Sequence, residues 1–170
     1  MDIPTIQTER LNLRAFTPAD GDAWYAILSG EDVLRYFPGS PKPTREQAGR
    51  MIERMLLHWG EHGYGLWAME MRENGQLIGR VGLQLITETD EVEVDFILDR
   101  AFWGRGLATE AGRASLAYGY DVLNVDTIVG IVHPENLASQ RVLQKIGLTF
   151  VEATTYFGMA VQRYVGRRAP

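Results

Sequence analysis

The spacing of apolar and polar positions changes several times along the chain, and each change marks a new element. Apolar residues alternate with polar ones in residues 10–16, which predicts a strand with one buried face. They are then spaced three and four apart in residues 18–28 and 44–62, which predicts two amphipathic helices. The same criteria predict strands at 66–72, 77–85, 92–98 and 127–132, helices at 109–122 and 136–145, and closing strands at 148–155 and 159–165.

Short local signals indicate where several of these elements begin and turn. Thr44 and Gln47 have the spacing of a capping box at a helix start. Asn74-Gly75 lies between two predicted strands and is a strong hairpin signal, and Asn136 is a good N-cap residue. No repeat, low-complexity tract or linker interrupts the chain. Residues 1–170 are therefore predicted to form one α/β domain, a mixed α+β sheet flanked by about four helices.

The composition of the chain excludes several kinds of functional site. The chain has 170 residues and no cysteine, which excludes disulfides and cysteine-based zinc sites or nucleophiles. A net charge of −5 argues against nucleic-acid binding. The chain has no signal-peptide pattern and no apolar run near the ~18 residues that cross a bilayer, so we expect a cytoplasmic protein without membrane contact. His58 and His62 are four apart on a predicted helix but lack a third ligand nearby, so no metal is expected.

Residues 103–108, WGRGLA, connect the strand 92–98 to the helix 109–122. Two glycines at a helix start can expose backbone N–H groups to an anion, and the helix dipole favours negative charge there. A P-loop would need Lys and Ser or Thr after the second glycine, where Leu107 and Ala108 stand. A Rossmann fingerprint would need a third small residue at Thr109 and a place in the first βαβ unit. The pyrophosphate of coenzyme A and a plain connecting turn remain as alternatives.

The chain as a whole resembles the GNAT superfamily of N-acetyltransferases, and within it the branch of ribosomal-protein alanine acetyltransferases. Four segments carry the resemblance: TERLNLRAF at 8–16, LIGRVGL at 77–83, FWGRGLATEA at 102–111 and HPENLASQRVLQKIGL at 133–148. It implies a mostly antiparallel sheet splayed into a V between the strands 93–98 and 127–132. It also implies acetyl-CoA as cosubstrate, without a metal. Trp103 stands where the superfamily's wider phosphate motif begins with Arg or Gln.

The resemblance also implies roles for individual residues. The pyrophosphate would lie on the loop and helix start, namely Trp103, Gly104, Arg105, Gly106, Leu107, Ala108 and Thr109. The pantetheine arm would contact Phe96, Ile97, Leu98 and Asn136, and Arg105 and Arg141 could approach phosphates. Glu93 is the candidate base that deprotonates the incoming ammonium, with Glu91 and Asp95 as alternatives. Ser139 is the candidate acid that protonates the leaving thiolate.

Two functions follow from these expectations. The first is direct transfer of acetyl from acetyl-CoA to a primary amine, without a covalent enzyme intermediate. The amine would be the α-amine of a protein N-terminus or a small molecule, and the enzyme a monomer or homodimer. The second is a coenzyme A-binding module that senses or scaffolds without turnover. The connection around Tyr36 and Phe37 could line a substrate pocket or close the edge of the core.

Overall fold

Our computed structural model describes residues 2–37 and 42–169. In chain order its helices and strands are β1 (Ile6–Gln7), β2 (Leu11–Arg14), α1 (Gly21–Leu28), α2 (Arg45–His62), β3 (Leu66–Met71), β4 (Leu77–Ile86), β5 (Glu91–Leu98), α3 (Leu107–Ala117), β6 (Thr127–Val132), α4 (Leu137–Lys145), β7 (Thr149–Tyr156) and β8 (Met159–Arg167). Within these described residues, no helix combines the length and apolarity that crossing a membrane requires.

One sheet contains all eight of these strands, in the order β1-β2-β3-β4-β5-β6-β8-β7. Neighbouring strands are antiparallel except β5 and β6, which are parallel and are registered only at Glu93 and Val129. On its other side, β5 pairs with β4 along its whole length, from Glu91 to Leu98. Beyond Glu93, β5 therefore has a free edge, and the expected V-shaped split of a mostly antiparallel sheet is confirmed.

Helices cover both faces of the sheet. Side chains of β5 alternate between these faces. Val94 and Phe96 belong to the apolar cluster that includes Leu116 of α3 and Leu143 of α4, and Ile97 belongs to the cluster of α1 and α2. By the same alternation, Glu93 and Asp95 lie on the face of α1 and α2. The two faces of β5 thus separate an apolar side from a polar side at the centre of the sheet.

The element order predicted from the pattern is confirmed, with differences at the boundaries. Helix α3 begins at Leu107 rather than at Thr109, because Gly106 adopts a left-handed conformation, with φ +77°, and directly precedes the helix. The α-helix ends at Ala117 and continues as a π-helical turn, Tyr118–Val122. The two-residue strand β1 was not predicted, since so short a segment carries no readable alternation.

Candidate active site

The free edge of β5 presents backbone groups to the gap between β5 and β6. The N–H of Asp99 donates to the carbonyl of Ile78 at 2.8 Å, and Ile97 lies opposite Arg80 in the ladder. Hydrogen-bonded and non-bonded pairs alternate in an antiparallel ladder, so the amide of Ile97 faces β4 and the amide of Phe96 faces the gap. The Leu98 carbonyl accepts a hydrogen bond from Trp103 Nε1 at 2.8 Å. Of Phe96 and Ile97, Phe96 is therefore the residue whose amide faces the gap.

The glycine loop lies beyond the open end of this gap. Gly104 and Gly106 both have positive φ, +73° and +77°, which other residues rarely adopt. In the described part of the chain, the amides of residues 104–109 donate to no backbone or side-chain acceptor. They lie at the N-terminus of α3, where the helix dipole adds partial positive charge. This arrangement fits a diphosphate, which needs several N–H donors and no metal-binding side chain.

Arg10 and Glu110 fix the back of the loop. Arg10 Nη1 donates to the Arg105 carbonyl at 2.9 Å, and Arg10 Nε pairs with Glu110 Oε2 at 2.7 Å. The other carboxylate oxygen of Glu110 accepts from the backbone N–H of Arg10 and from the hydroxyl of Thr8. The start of β2 thereby anchors both the loop and the first turn of α3. This anchoring turns a loop carbonyl towards Arg10 and leaves the loop amides free.

The start of α4 forms the opposite wall of the gap. Asn136 Oδ1 accepts a hydrogen bond from the Ser139 amide at 3.1 Å, so the expected N-cap is confirmed. Among the described residues, neither the amide nitrogen of the Asn136 side chain nor the Ser139 hydroxyl has a hydrogen-bond partner. Both side chains are partly exposed and line the same cavity. They are available to a ligand in the gap.

These surfaces enclose a cavity of about 550 Å³. It is lined by the β5 edge at Phe96, Ile97 and Leu98, by Trp103, Gly104, Gly106, Leu107, Ala108 and Thr109, by the α4 start with Asn136 and Ser139, and by Tyr36 and Phe37. Tyr36 and Phe37 therefore line a pocket, as one of their two interpretations stated. Arg141 and Lys145 add positive charge to the lining, whereas the Arg105 guanidinium lies over the Phe102 ring at 5.1 Å. The volume is in the range of cofactor sites in proteins.

Glu93 lies where the two strands separate. Its side chain is buried, with 7% exposure, and accepts a hydrogen bond from Gln84 Nε2 at 2.9 Å. The backbone of Ile131, on β6, also favours its charged form and so opposes the rise of its pKa. Burial, together with the nearby carboxylate of Asp95, raises the pKa of Glu93 to about 8. A carboxyl group with such a pKa can exchange a proton near neutral pH.

The other two candidate bases are held in ion pairs. Asp95 pairs with Arg80, and both side chains are largely buried. Glu91 pairs with Arg163 and accepts a hydrogen bond from the Tyr156 hydroxyl at 2.6 Å. Although burial alone would raise the pKa of Glu91, the hydrogen bonds from Tyr156 and Arg163 lower it. Of the carboxyl groups of Glu91, Glu93 and Asp95, that of Glu93 alone forms no ion pair with an arginine within the described residues.

His58 has a structural position that its sequence spacing did not reveal. Its Nδ1 lies 2.9 Å from the Tyr64 carbonyl, and its Nε2 accepts the Leu85 amide at 3.1 Å. Both ring nitrogens are therefore occupied, and burial lowers the pKa of the ring. The histidine joins α2 to the part of β4 that extends beyond β3. Within residues 2–37 and 42–169, no cluster of three or more His, Cys, Asp or Glu side chains could hold a metal ion.

Sequence reasoning missed the groups whose partners are distant in the chain. Arg10 and Glu110 are 100 residues apart, and Gln84 meets Glu93 only through the β4–β5 register. Lys145 was assigned to α4 without a role in the cavity. The one available signal was the position of Arg10 and Glu110 inside two of the four resembling segments, TERLNLRAF and FWGRGLATEA.

Comparisons with known proteins agree with this geometry. The family model described as an acetyltransferase (GNAT) domain matches residues 10–149. An uncharacterised N-acetyltransferase of Bacillus subtilis, YoaA, is 30% identical over 145 residues, 85% of this chain and 82% of the relative. The crystal structure of an acetyltransferase from Agrobacterium tumefaciens has a TM-score of 0.86 at 27% identity, over 99% of this chain and 96% of that one.

A more distant structure shares the fold. It is RimL, a ribosomal-protein α-N-acetyltransferase in complex with coenzyme A. Its TM-score is 0.80 at 16% identity, and the match covers 99% of this chain and 98% of RimL. An identity this low supports a common fold, and the acceptor of RimL is not carried over with it.

Proposed function

The chain belongs to the GNAT acetyltransferase family and is an acetyl-CoA-dependent N-acetyltransferase, and we propose that it passes the acetyl group directly to a primary amine without a covalent enzyme intermediate. One observation carries the proposal. The buried Glu93 carboxyl lies where β5 and β6 separate, and unpartnered loop amides lie beyond the open end of the same gap. The gap thus has a proton acceptor at one end and an anion site at the other.

The residues around the gap form two groups, which bind different parts of acetyl-CoA. Trp103, Gly104, Arg105, Gly106, Leu107, Ala108 and Thr109 form the pyrophosphate site, and Phe96, Ile97, Leu98 and Asn136 hold the pantetheine arm. Acetyl-CoA, when bound, supplies the acetyl thioester. Of Phe96 and Ile97, only Phe96 has an amide that faces the gap, so we assign it the hydrogen bond to the thioester carbonyl, which strengthens as charge develops there.

Two side chains move protons. Glu93 accepts a proton from the ammonium of the acceptor, directly or through a water, so that the free amine can attack the carbonyl carbon. As the carbon–sulfur bond breaks, the Ser139 hydroxyl donates its proton to the thiolate. The attacking nitrogen loses its second proton to solvent, and Ser139 recovers one from solvent. No residue is acylated, in keeping with a chain that has no cysteine.

The acceptor can be of either expected class. A protein N-terminus, as in the ribosomal-protein branch, and a small-molecule amine both present a primary amine to Glu93. RimL supports the first class only through its fold. The charges beside the gap are a better guide to the acceptor than this distant similarity.

Release of coenzyme A thiol tests the proposed function. We expect the protein to release thiol from acetyl-CoA when it is mixed with a panel of N-terminal peptides and small primary amines. Mass spectrometry should find acetyl on the amine and no acetyl on the protein. Tight acetyl-CoA binding without thiol release from any amine would contradict turnover and favour the non-catalytic coenzyme A-binding module.

Ser139→Ala tests the acid. We expect kcat to fall about 10²-fold or more, the usual range for general acid–base groups, while the Kd for acetyl-CoA stays within about twofold. The variant keeps the Asn136 cap, because the cap uses the backbone N–H of residue 139. Steady-state kinetics and calorimetric titration separate the two effects. A kcat within about twofold of wild type would remove Ser139 from the mechanism.

A further inference from the structure

A second, smaller cavity lies on the α2 side of the sheet. Its volume is about 260 Å³, and its walls include Met51, Arg54, Met55 and His58 of α2 and Arg80 and Gln84 of β4. This volume is that of roughly eight waters at ~30 Å³ each, enough for a small organic molecule. The cavity is distinct from the 550 Å³ cavity that contains the glycine loop.

The cavity lies within reach of the reacting end of the gap. Arg80 and Gln84 are directly opposite Ile97 and Glu93 in the β4–β5 ladder. Neighbouring strands are about 4.8 Å apart, and β5 is the strand next to β4. The free edge of β5 therefore lies only one strand away from this part of the cavity wall. Because Gln84 and Glu93 project from the same face of the sheet, a molecule in the cavity can extend a short chain along that face and present its end to Glu93.

The lining of this cavity carries positive charge. Among the described residues, no carboxylate lines it; of the two beside it, Asp95 is already paired with Arg80, and Glu93 accepts a hydrogen bond from Gln84. Arg54 is exposed and forms no ion pair within the described residues. Among the described residues, the buried Nε–H of Arg80 also has no hydrogen-bond partner. An anionic group would find the unpaired guanidinium of Arg54 there, with the guanidinium of Arg80 in the wall behind it, beside the apolar side chains of Met51 and Met55.

We propose that this cavity binds the acceptor, that the acceptor is a small primary amine with a carboxylate at the other end of a short aliphatic chain, and that Arg54 determines this specificity. The inference rests on the proposed function, because it names the substrate class of the same reaction. The carboxylate binds between Arg54 and Arg80, and the methylene groups lie against the methionines. The amine then points along this face of the sheet to Glu93. A polyamine of equal length would instead place an ammonium against Arg54.

Matched acceptors test the inference. For each chain length from two to six carbons, the panel contains the ω-amino acid, the n-alkylamine and the α,ω-diamine, assayed by thiol release from acetyl-CoA. At the best length, we expect kcat/KM for the amino acid to exceed that for the alkylamine by about 10–100-fold, the range for one hydrogen bond to a charged group. The diamine should be the poorest of the three.

Arg54→Met identifies the residue responsible, because it keeps an apolar stem of similar length on an exposed helix position. We expect kcat/KM for the amino acid to fall at least about tenfold, with the alkylamine within about twofold of wild type. The control Arg168→Met removes a cation that bonds Asn124, and both acceptors should be unaffected. A preference for the alkylamine or the diamine, or an unchanged preference in Arg54→Met, overturns the inference and leaves the proposed function standing. Absence of thiol release with every amine and peptide overturns the proposed function itself, and this inference with it.

Discussion

Replacing Gly106 by aspartate is expected to weaken acetyl-CoA binding by at least about 100-fold, because a negative charge would then lie in a site that binds the negatively charged diphosphate. Gly106 directly precedes α3, and the amides that follow it have no partner in the described residues. An aspartate there would place its carboxylate beside the same N–H groups and repel the diphosphate. Its left-handed backbone, with φ +77°, adds strain for any side chain.

Gly106→Asn separates charge from shape. Asparagine has nearly the same size and tolerates the left-handed conformation about as well as aspartate does, but it is neutral. Among the described residues, a Cβ at position 106 would meet only Arg10 Nη2, at 3.6 Å, which is ordinary contact, so both variants should fold. Calorimetric titration should find a clearly smaller loss for asparagine than for aspartate. Wild-type affinity in Gly106→Asp would show that the diphosphate does not bind at this loop.

The second large effect is expected from Glu93→Gln, which should lower kcat about 10²–10⁴-fold, as loss of a general base does. The group is buried, and its pKa is raised to about 8, so its ionised, proton-accepting form increases as pH rises from 7 to 9. The wild-type kcat/KM should rise over this range, whereas the residual kcat/KM of the variant should not rise with pH. Small primary amines have a pKa near ~10, like lysine, and remain mostly protonated throughout.

Glu91→Gln is the matched control for this substitution. It changes a carboxylate on the same strand that is paired with Arg163 rather than free to accept a proton. We expect its kcat to stay within about threefold of wild type, well under the effect of losing a general base. If Glu91→Gln abolished turnover and Glu93→Gln did not, the assignment of the base would be wrong.

The stability of Glu93→Gln gives an independent readout of the raised pKa. The pKa of Glu93 in the folded protein lies above that of an unfolded glutamate, which is ~4.3. The protonated carboxyl therefore contributes its full stability below about pH 4. This contribution is lost as pH rises through the folded-state pKa of about 8. Glutamine is neutral at every pH and avoids this loss. Relative to wild type, its free energy of unfolding should therefore increase between pH 5 and pH 9, by roughly 4 kcal/mol at ~1.36 kcal/mol per pH unit below the folded-state pKa.

Local signals in the sequence were sufficient for the elements and for half of the site. The alternation at Leu11 and Leu13, the capping box at Thr44 and the N-cap at Asn136 each act within a few residues, so they were predictable without tertiary structure. The glycines of residues 103–108 also have the left-handed conformations that a cradle of backbone amides requires.

The remainder of the site depends on contacts between distant residues. The raised pKa of Glu93 comes from burial and from its neighbour Asp95, and neither the burial nor the cross-strand contact with Gln84 can be read from spacing alone. Asp95 was an alternative candidate base, but its carboxylate forms an ion pair with Arg80, which lies two residues along β4 from its cross-strand neighbour Gly82. The charge beside the acceptor cavity is consequently positive, although the chain as a whole carries −5.

If the loop amides bind the diphosphate while the β5 edge holds the thioester arm, coenzyme A must perturb both sets of backbone groups. Backbone ¹H–¹⁵N spectra recorded during titration with coenzyme A test it directly. We predict saturable shifts that are largest at residues 104–109, with a second group at Phe96, and small shifts at residues 160–167 of β8. Saturation without movement of the 104–109 amides, or with the largest shifts on β8, would contradict the account.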